Sequence, residues 1–143
     1  MADPSGSRIL LLDDDPFMLK LLSMMLNRLG YEHITAFCDG WAALAYLDQS
    51  SGAPDLILFD MQMRQMGGAA FVHQLALRGY AGSLVIASGE PASQDAESIA
   101  HERGIRILGY LPKPFTLSEL SQVLDRLVAL GAKHTVDQTG SSP

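Results

Sequence analysis

Short unbroken apolar runs alternate along the chain with longer stretches in which apolar residues recur every three or four positions. Ile9-Leu10-Leu11-Leu12 comes first, followed by Met18, Leu21, Leu22, Met25 and Leu29 at helical spacing, with Gly30 closing the pattern. A second strand is predicted over 34–37, and Trp41, Leu44, Ala45 and Leu47 belong to a second helix. Leu56-Ile57-Leu58-Phe59 leads into a helix over 69–77, and Leu84-Val85-Ile86-Ala87 into a helix over 95–103 that ends at Gly104. A fifth strand over 105–111 is interrupted by Gly109. Thr116 then caps the last helix, with Glu119 completing a capping box and Leu117, Leu120, Leu124 and Leu127 on the inner face.

Five strand–helix units in succession predict an α/β fold, (βα)5. Strands that are apolar throughout must be covered on both faces, which implies a doubly wound five-stranded parallel sheet between two helical layers. The expected order is 2-1-3-4-5, the flavodoxin-like arrangement, in which ligands bind outside the carboxyl ends of the strands at the switch point between strands one and three. The domain is expected over 8–130. Residues 1–7 read as a disordered N-terminal tail, and 131–143 as a flexible C-terminal tail or the start of a linker, because neither shows an apolar period.

With 143 residues, 48% hydrophobic and 18% charged, the chain suits one domain with a single soluble core. The formal net charge of −6 and ten scattered basic residues argue against direct nucleic-acid binding. Cys38 is the single cysteine, which excludes an intrachain disulfide and a Cys-rich metal site. No apolar run approaches a membrane span, and the polar first residues lack a signal-peptide pattern, so a cytoplasmic protein is expected.

The chemistry gathers at the strand ends. The first strand ends in Asp13-Asp14-Asp15, the third in Asp60 and the fourth in Ser88, while Lys113 follows the fifth. Each has an ordinary explanation on its own: Asp14 or Asp15 before Pro16 suits a helix N-cap, Ser88-Gly89 is a turn signal, and Lys113 sits between two prolines. Together they bring carboxylates, a hydroxyl and an ammonium to one edge. Clustered carboxylates repel unless a cation sits among them, and Mg²⁺ with oxygen ligands is the natural occupant. Lys113 and Ser88 would hold phosphoryl oxygens beside Asp60, placed as nucleophile.

Leu-Leu-Leu-Asp-Asp-Asp-Pro at 10–16, Leu-Ile-Leu-Phe-Asp-Met-Gln-Met at 56–63, Ile-Ala-Ser-Gly at 86–89 and Tyr-Leu-Pro-Lys-Pro-Phe at 110–115 resemble the four signature segments of two-component response-regulator receiver domains (CheY-like). The resemblance implies that Asp60 is the phosphoacceptor, and that Asp13, Asp14, Asp60 and the backbone carbonyl of Gln62 hold Mg²⁺, with Asp14 a direct ligand. It implies that Ser88 bonds the transferred phosphoryl group, that Tyr110 is the switch aromatic, and that the Lys113–Pro114 peptide bond is cis, which proline makes accessible at about 0.5–1 kcal/mol. The phosphodonor would be a histidine kinase or histidine phosphotransfer protein. The domain would catalyse only its own phosphorylation and dephosphorylation, and a phosphorylation-dependent homodimer is a further expectation. The segment 109–115 is similar to receivers fused to cyclic-di-GMP phosphodiesterase domains of the EAL type, which suggests such an output domain. Two positions depart from the family: Arg64 stands where proline is usual, and Gly67-Gly68 where Asp-Gly is usual, so the loop after Asp60 is expected to be looser. Gln62 and Glu90 occupy positions that tune the lifetime of the phosphoryl group. Two alternatives are a phosphorylation-independent interaction module and a haloacid-dehalogenase-like phosphatase. The latter would force Asp13 and Asp15 into an Asp-x-Asp pattern and leave Asp60 idle.

Overall fold

The computed structural model describes residues 6–50, 52–88 and 94–140, the side chains of 94, 95 and 131–140 excepted. The elements follow in the order β1 (Arg8–Leu12), α1 (Pro16–Arg28), β2 (His33–Phe37), α2 (Gly40–Gln49), β3 (Leu56–Asp60), α3 (Gly68–Leu77), β4 (Ser83–Ser88), α4 (Gln94–Glu102), β5 (Arg106–Pro112) and α5 (Leu117–Gly140). All strand pairs are parallel, in the order β2-β1-β3-β4-β5, as the apolar runs predict.

Alternation along each strand divides the core in two. Leu10, Leu12, Ile57, Phe59, Leu84 and Ile86 face α2, α3 and α4, where Leu44, Phe71, Leu75 and Ala100 pack against them. Ile9, Leu11, Leu56, Leu58, Val85 and Ala87 face α1 and α5, meeting Leu22, Leu26, Leu120 and Leu124. The central strands β3 and β4 are buried along their whole length, whereas the edge strand β2 is only partly covered.

The helix faces differ in detail from the sequence expectation. In α1 the buried residues are Leu19, Leu22 and Leu26, while Leu21 is exposed. The stripe that meets the sheet is rotated by about one residue, leaving Leu21 on the flank. Trp41 and Ala45 likewise lie on the outer side of α2, and Ala43 takes the inner position. Helix α5 runs to Gly140, so the backbone of residues 131–140, within the segment expected as a flexible tail or linker, is helical. The expected N-terminal tail lies mostly outside the described residues.

The interruption at Gly109 is a bulge. Leu84 pairs with Ile107 but Val85 with Gly109, which leaves Leu108 as the extra residue. The Arg126 guanidinium of α5 donates to the Leu108 carbonyl, and a Cβ at position 109 would lie 3.0 Å from Arg126 Nη1 and 3.4 Å from Val123 Cγ2. The final strand thereby reaches the carboxyl edge in the register that delivers Lys113. No helix among the described residues is long and apolar enough to cross a membrane.

Candidate functional site

β1 and β3 are neighbours although α1, β2 and α2 lie between them in sequence, so their carboxyl ends open onto the switch point of the sheet. Asp13 follows β1 directly, and its N–H donates to the Phe37 carbonyl at 3.1 Å, extending the ladder by one residue. The residue is 2% exposed. The Asp15 N–H donates to Asp13 Oδ1 at 2.9 Å, and Asp15 Oδ1 in turn accepts from the Phe17 N–H at 3.0 Å. Asp15 is therefore the N-cap of α1, with Pro16 in its first turn. Capping and site chemistry are divided among the three acidic residues, which leaves the carboxylates of Asp13 and Asp14 for the site.

Asp60 is the last residue of β3, 7% exposed, and its Oδ1 accepts from the Gln62 N–H at 3.0 Å. That bond folds the chain back and brings Gln62, the expected carbonyl ligand, beside the acceptor. One carboxylate oxygen each from Asp13, Asp14 and Asp60 lie within 4.8 Å of one another. Lys113, just past β5, sends its ammonium into the group: Nζ is 2.8 Å from Asp13 Oδ2 and 3.3 Å from Asp60 Oδ2. Burial pushes the Lys113 pKa down. The hydrogen bond and charge of Asp13, followed by those of Asp60, more than offset this and raise it above the free value, so the ammonium stays charged. Three carboxylates against the Lys113 ammonium alone leave an excess of negative charge. A tight, all-oxygen, anionic donor set suits a hard divalent cation.

Ser88 closes β4 and is buried; its carbonyl accepts the Lys113 N–H at 2.8 Å, which locks the two strand ends together. The Lys113–Pro114 bond is cis, as expected. Tyr110 pairs with Ile86 across the sheet and is 36% exposed. Burial, followed by the hydrogen-bonding and charge influence of Glu97 on α4, pushes the Tyr110 pKa up to about 12. Gly89, Glu90, Pro91 and Ser93 lie outside the described residues.

The loop after Asp60, expected to be looser than is usual in the family, is held by definite contacts. The Gly68 N–H donates to the Met61 carbonyl at 3.1 Å, and Met63 and Met66 are buried in the core beneath α2 and α3. The Arg64 N–H donates to Asp14 Oδ2 at 3.2 Å, and the Arg64 Nε lies 3.8 Å from the same oxygen. Sequence reasoning placed the charge of Arg64 near the site, as found, but not its pairing with Asp14, and it missed Glu97. For Arg64 the departure from the usual proline was the available signal. The Glu97–Tyr110 contact joins two elements and has no local signal.

Residues 9–125 match the model of the response regulator receiver domain family. The chain is 32% identical over 120 residues to the cyclic di-GMP phosphodiesterase RocR of Pseudomonas aeruginosa, covering 82% of this chain and 30% of that protein. It is 28% identical over 125 residues to the two-component response regulator ORR22 of Oryza sativa, covering 87% of this chain and 17% of the relative. The chain thus spans less than a third of the length of these relatives. Among solved structures it resembles the chemotaxis protein CheY4 of Vibrio cholerae, at a TM-score of 0.71 and 25% identity, covering 85% of this chain and 98% of that one. The signal receiver domain of an HD domain-containing protein from Pseudomonas fluorescens gives a TM-score of 0.72 at 26% identity, covering 90% and 98%. The 2-1-3-4-5 sheet, the acidic cluster at its switch point and the family match over nearly the whole chain agree, and the chain belongs to the response regulator receiver domains.

Proposed function

We propose that this receiver domain accepts a phosphoryl group on Asp60 and uses it to shift the surface formed by α4, β5 and α5. The observation that carries the reading is the Lys113 ammonium bridging Asp13 and Asp60, with Asp14 beside them. Asp60 is held at a strand end with one oxygen fixed by the Gln62 N–H, so it meets a donor in a defined orientation. A carboxylate oxygen attacks phosphorus, the P–N bond of a phosphohistidine breaks, and the leaving imidazole takes up a proton. Asp13, Asp14, Asp60 and the Gln62 carbonyl would hold Mg²⁺. Bound there, Mg²⁺ supplies neutralising charge to the phosphoryl oxygens. Lys113 contributes a charge-assisted hydrogen bond to the same oxygens, and the Ser88 hydroxyl another.

A histidine kinase or histidine phosphotransfer protein is the donor this chemistry calls for. Drawing Ser88 toward the phosphoryl group opens room for Tyr110, which then leaves Glu97, a population shift between two packings. The name of the Pseudomonas relative supports a phosphodiesterase output, of the EAL type, and a phosphorylation-dependent homodimer would use the same surface. Incubation with acetyl phosphate and Mg²⁺ should add one base-labile phosphoryl group, detected by intact mass, and Asp60→Asn should abolish it. Undiminished labelling of that variant overturns the assignment.

A further inference from the structure

Arg64 is the second cation at the acidic cluster, and it stands where the family usually has a proline. A proline could supply neither contact seen here, since it has no N–H and no charge. The backbone N–H of Arg64 donates to Asp14 Oδ2 at 3.2 Å, joining the loop after β3 to the end of β1 across fifty positions of sequence. The buried side chains of Met63 and Met66 hold the loop on either side, so this bond fixes where the Arg64 side chain starts. Its Nε then lies 3.8 Å from the same carboxylate oxygen.

Asp39 also borders the shallow groove of about 240 Å³ that Arg64 lines. Its carboxylate, however, accepts the Trp41 N–H as the N-cap of α2. Asp14 is the one carboxylate that Arg64 pairs with among the described residues. Oδ2 of Asp14 is thereby engaged from the loop side, and an unbound cluster carries one uncompensated negative charge where Lys113 alone would leave two.

We propose that Arg64 is a positioning residue for Asp14: it holds one carboxylate oxygen from the loop side and offsets the charge, lowering the affinity of the cluster for a divalent cation. This rests on the reading of the cluster as the Mg²⁺ site. The consequence is functional, because a receiver whose metal site is only partly filled responds in its phosphorylation to Mg²⁺ supply as well as to donor supply. The Arg64 side chain is 94% exposed, so water and salt screen it and the effect is modest.

The test is a calorimetric Mg²⁺ titration of the full chain, without any phosphodonor. Arg64→Gln keeps the backbone N–H and removes the charge, and should bind Mg²⁺ about two- to fivefold more tightly at low salt, the span of an exposed ion pair. Arg64→Lys should return the parental affinity, and the gap between Arg64→Gln and the parent should narrow as salt rises. A purely structural role for the loop would produce neither the rescue nor the salt dependence. Unchanged or weaker binding by Arg64→Gln, or a gap insensitive to salt, overturns the proposal while the metal site stands. Absence of Mg²⁺ binding in the parent itself overturns both readings.

Discussion

Replacing Lys113 by methionine keeps the bulk of the side chain but leaves the carboxylates of Asp13 and Asp60 facing each other with no ammonium between them. In the parent that ammonium lies 2.8 Å from Asp13 and 3.3 Å from Asp60. At an effective dielectric constant of about 20, unit charges at these separations attract by about 6 and 5 kcal/mol, before the cost of withdrawing the ammonium from water. Exposed pairs retain about 0–1 kcal/mol after that cost, and removing one partner of a buried pair costs about 3–5 kcal/mol. Lys113 lies between these limits, with 19% of its side chain exposed and its two partners almost wholly buried. A loss of about 2–4 kcal/mol at neutral pH follows. Urea unfolding of parent and Lys113→Met in the presence of a chelator measures it. The deficit should shrink when Mg²⁺ is added, since the same carboxylates then regain a cation that the unfolded chain does not bind. The pH dependence has a definite sign. The folded pKa of Lys113 is raised above 10.5, so its contribution is complete at neutral pH and is lost as pH climbs through that raised value. A variant as stable as the parent in chelator would refute the electrostatic account of the cluster.

Two further outcomes follow from local geometry. Glu97→Gln should move the titration of Tyr110 part of the way from about 12 toward the ordinary 10.0, because burial remains while the charge is gone; NMR of labelled tyrosine reads this, and an unmoved midpoint would break the contact. As the folded phenol holds its proton more tightly than the unfolded one, the stability linked to Tyr110 is complete below pH 10.0 and lost as pH rises through about 12. Thr116→Ala should cost about 1 kcal/mol in urea unfolding, since it removes the hydroxyl that accepts the Glu119 N–H at 3.1 Å while Glu119 Oε1 accepts the Thr116 N–H at 2.9 Å. A loss below a few tenths would mean the capping box contributes nothing to α5.

The strand order and the four strand-end groups were legible because both follow from short-range rules. A run such as Leu56-Ile57-Leu58-Phe59 has no polar face to expose, so it must lie in the middle of a parallel sheet, and the polar residue that ends it must lie at the edge. The capping box at Thr116 and the role of Asp15 were likewise local. What escaped depends on relations between elements. Leu21 satisfies the helical period as well as Leu19 does, and only the docking angle of α1 on the sheet decides which is buried. The bulge at Leu108 was visible as a glycine, but the arginine on α5 that bonds the bulged carbonyl was not. The contacts of the loop after Asp60 escaped because Met63 and Met66 are adaptable residues whose burial no local pattern announces.

The elements around the site differ in how much burial holds them in place, and this difference gives the proposed signal its direction. Helix α1, which begins at the acidic cluster, buries Leu19, Leu22 and Leu26. Each such leucine contributes about 1.5–3 kcal/mol on burial. Among its described side chains α4 buries only Ala96 and Ala100, each with a single methyl group, with Ile99 partly covered. A shift of α4 therefore gives up far less apolar contact than a shift of α1. The connection from the site to α4 is short. Lys113 is bonded to Ser88 through the backbone, Tyr110 lies three residues earlier on the same strand, and the charge of Glu97 on the helix acts on Tyr110. In the proposed switch, a change at Asp60 that draws on Ser88 and Lys113 would act on α4, less anchored by apolar burial than α1, through one strand and the Tyr110 side chain. The same change meets, in α1, a helix whose leucines and aspartate cap resist it. The asymmetry of burial, with small residues buried in α4 and leucines in α1, is what in the proposed switch would turn a local charge event into a change on one face of the molecule.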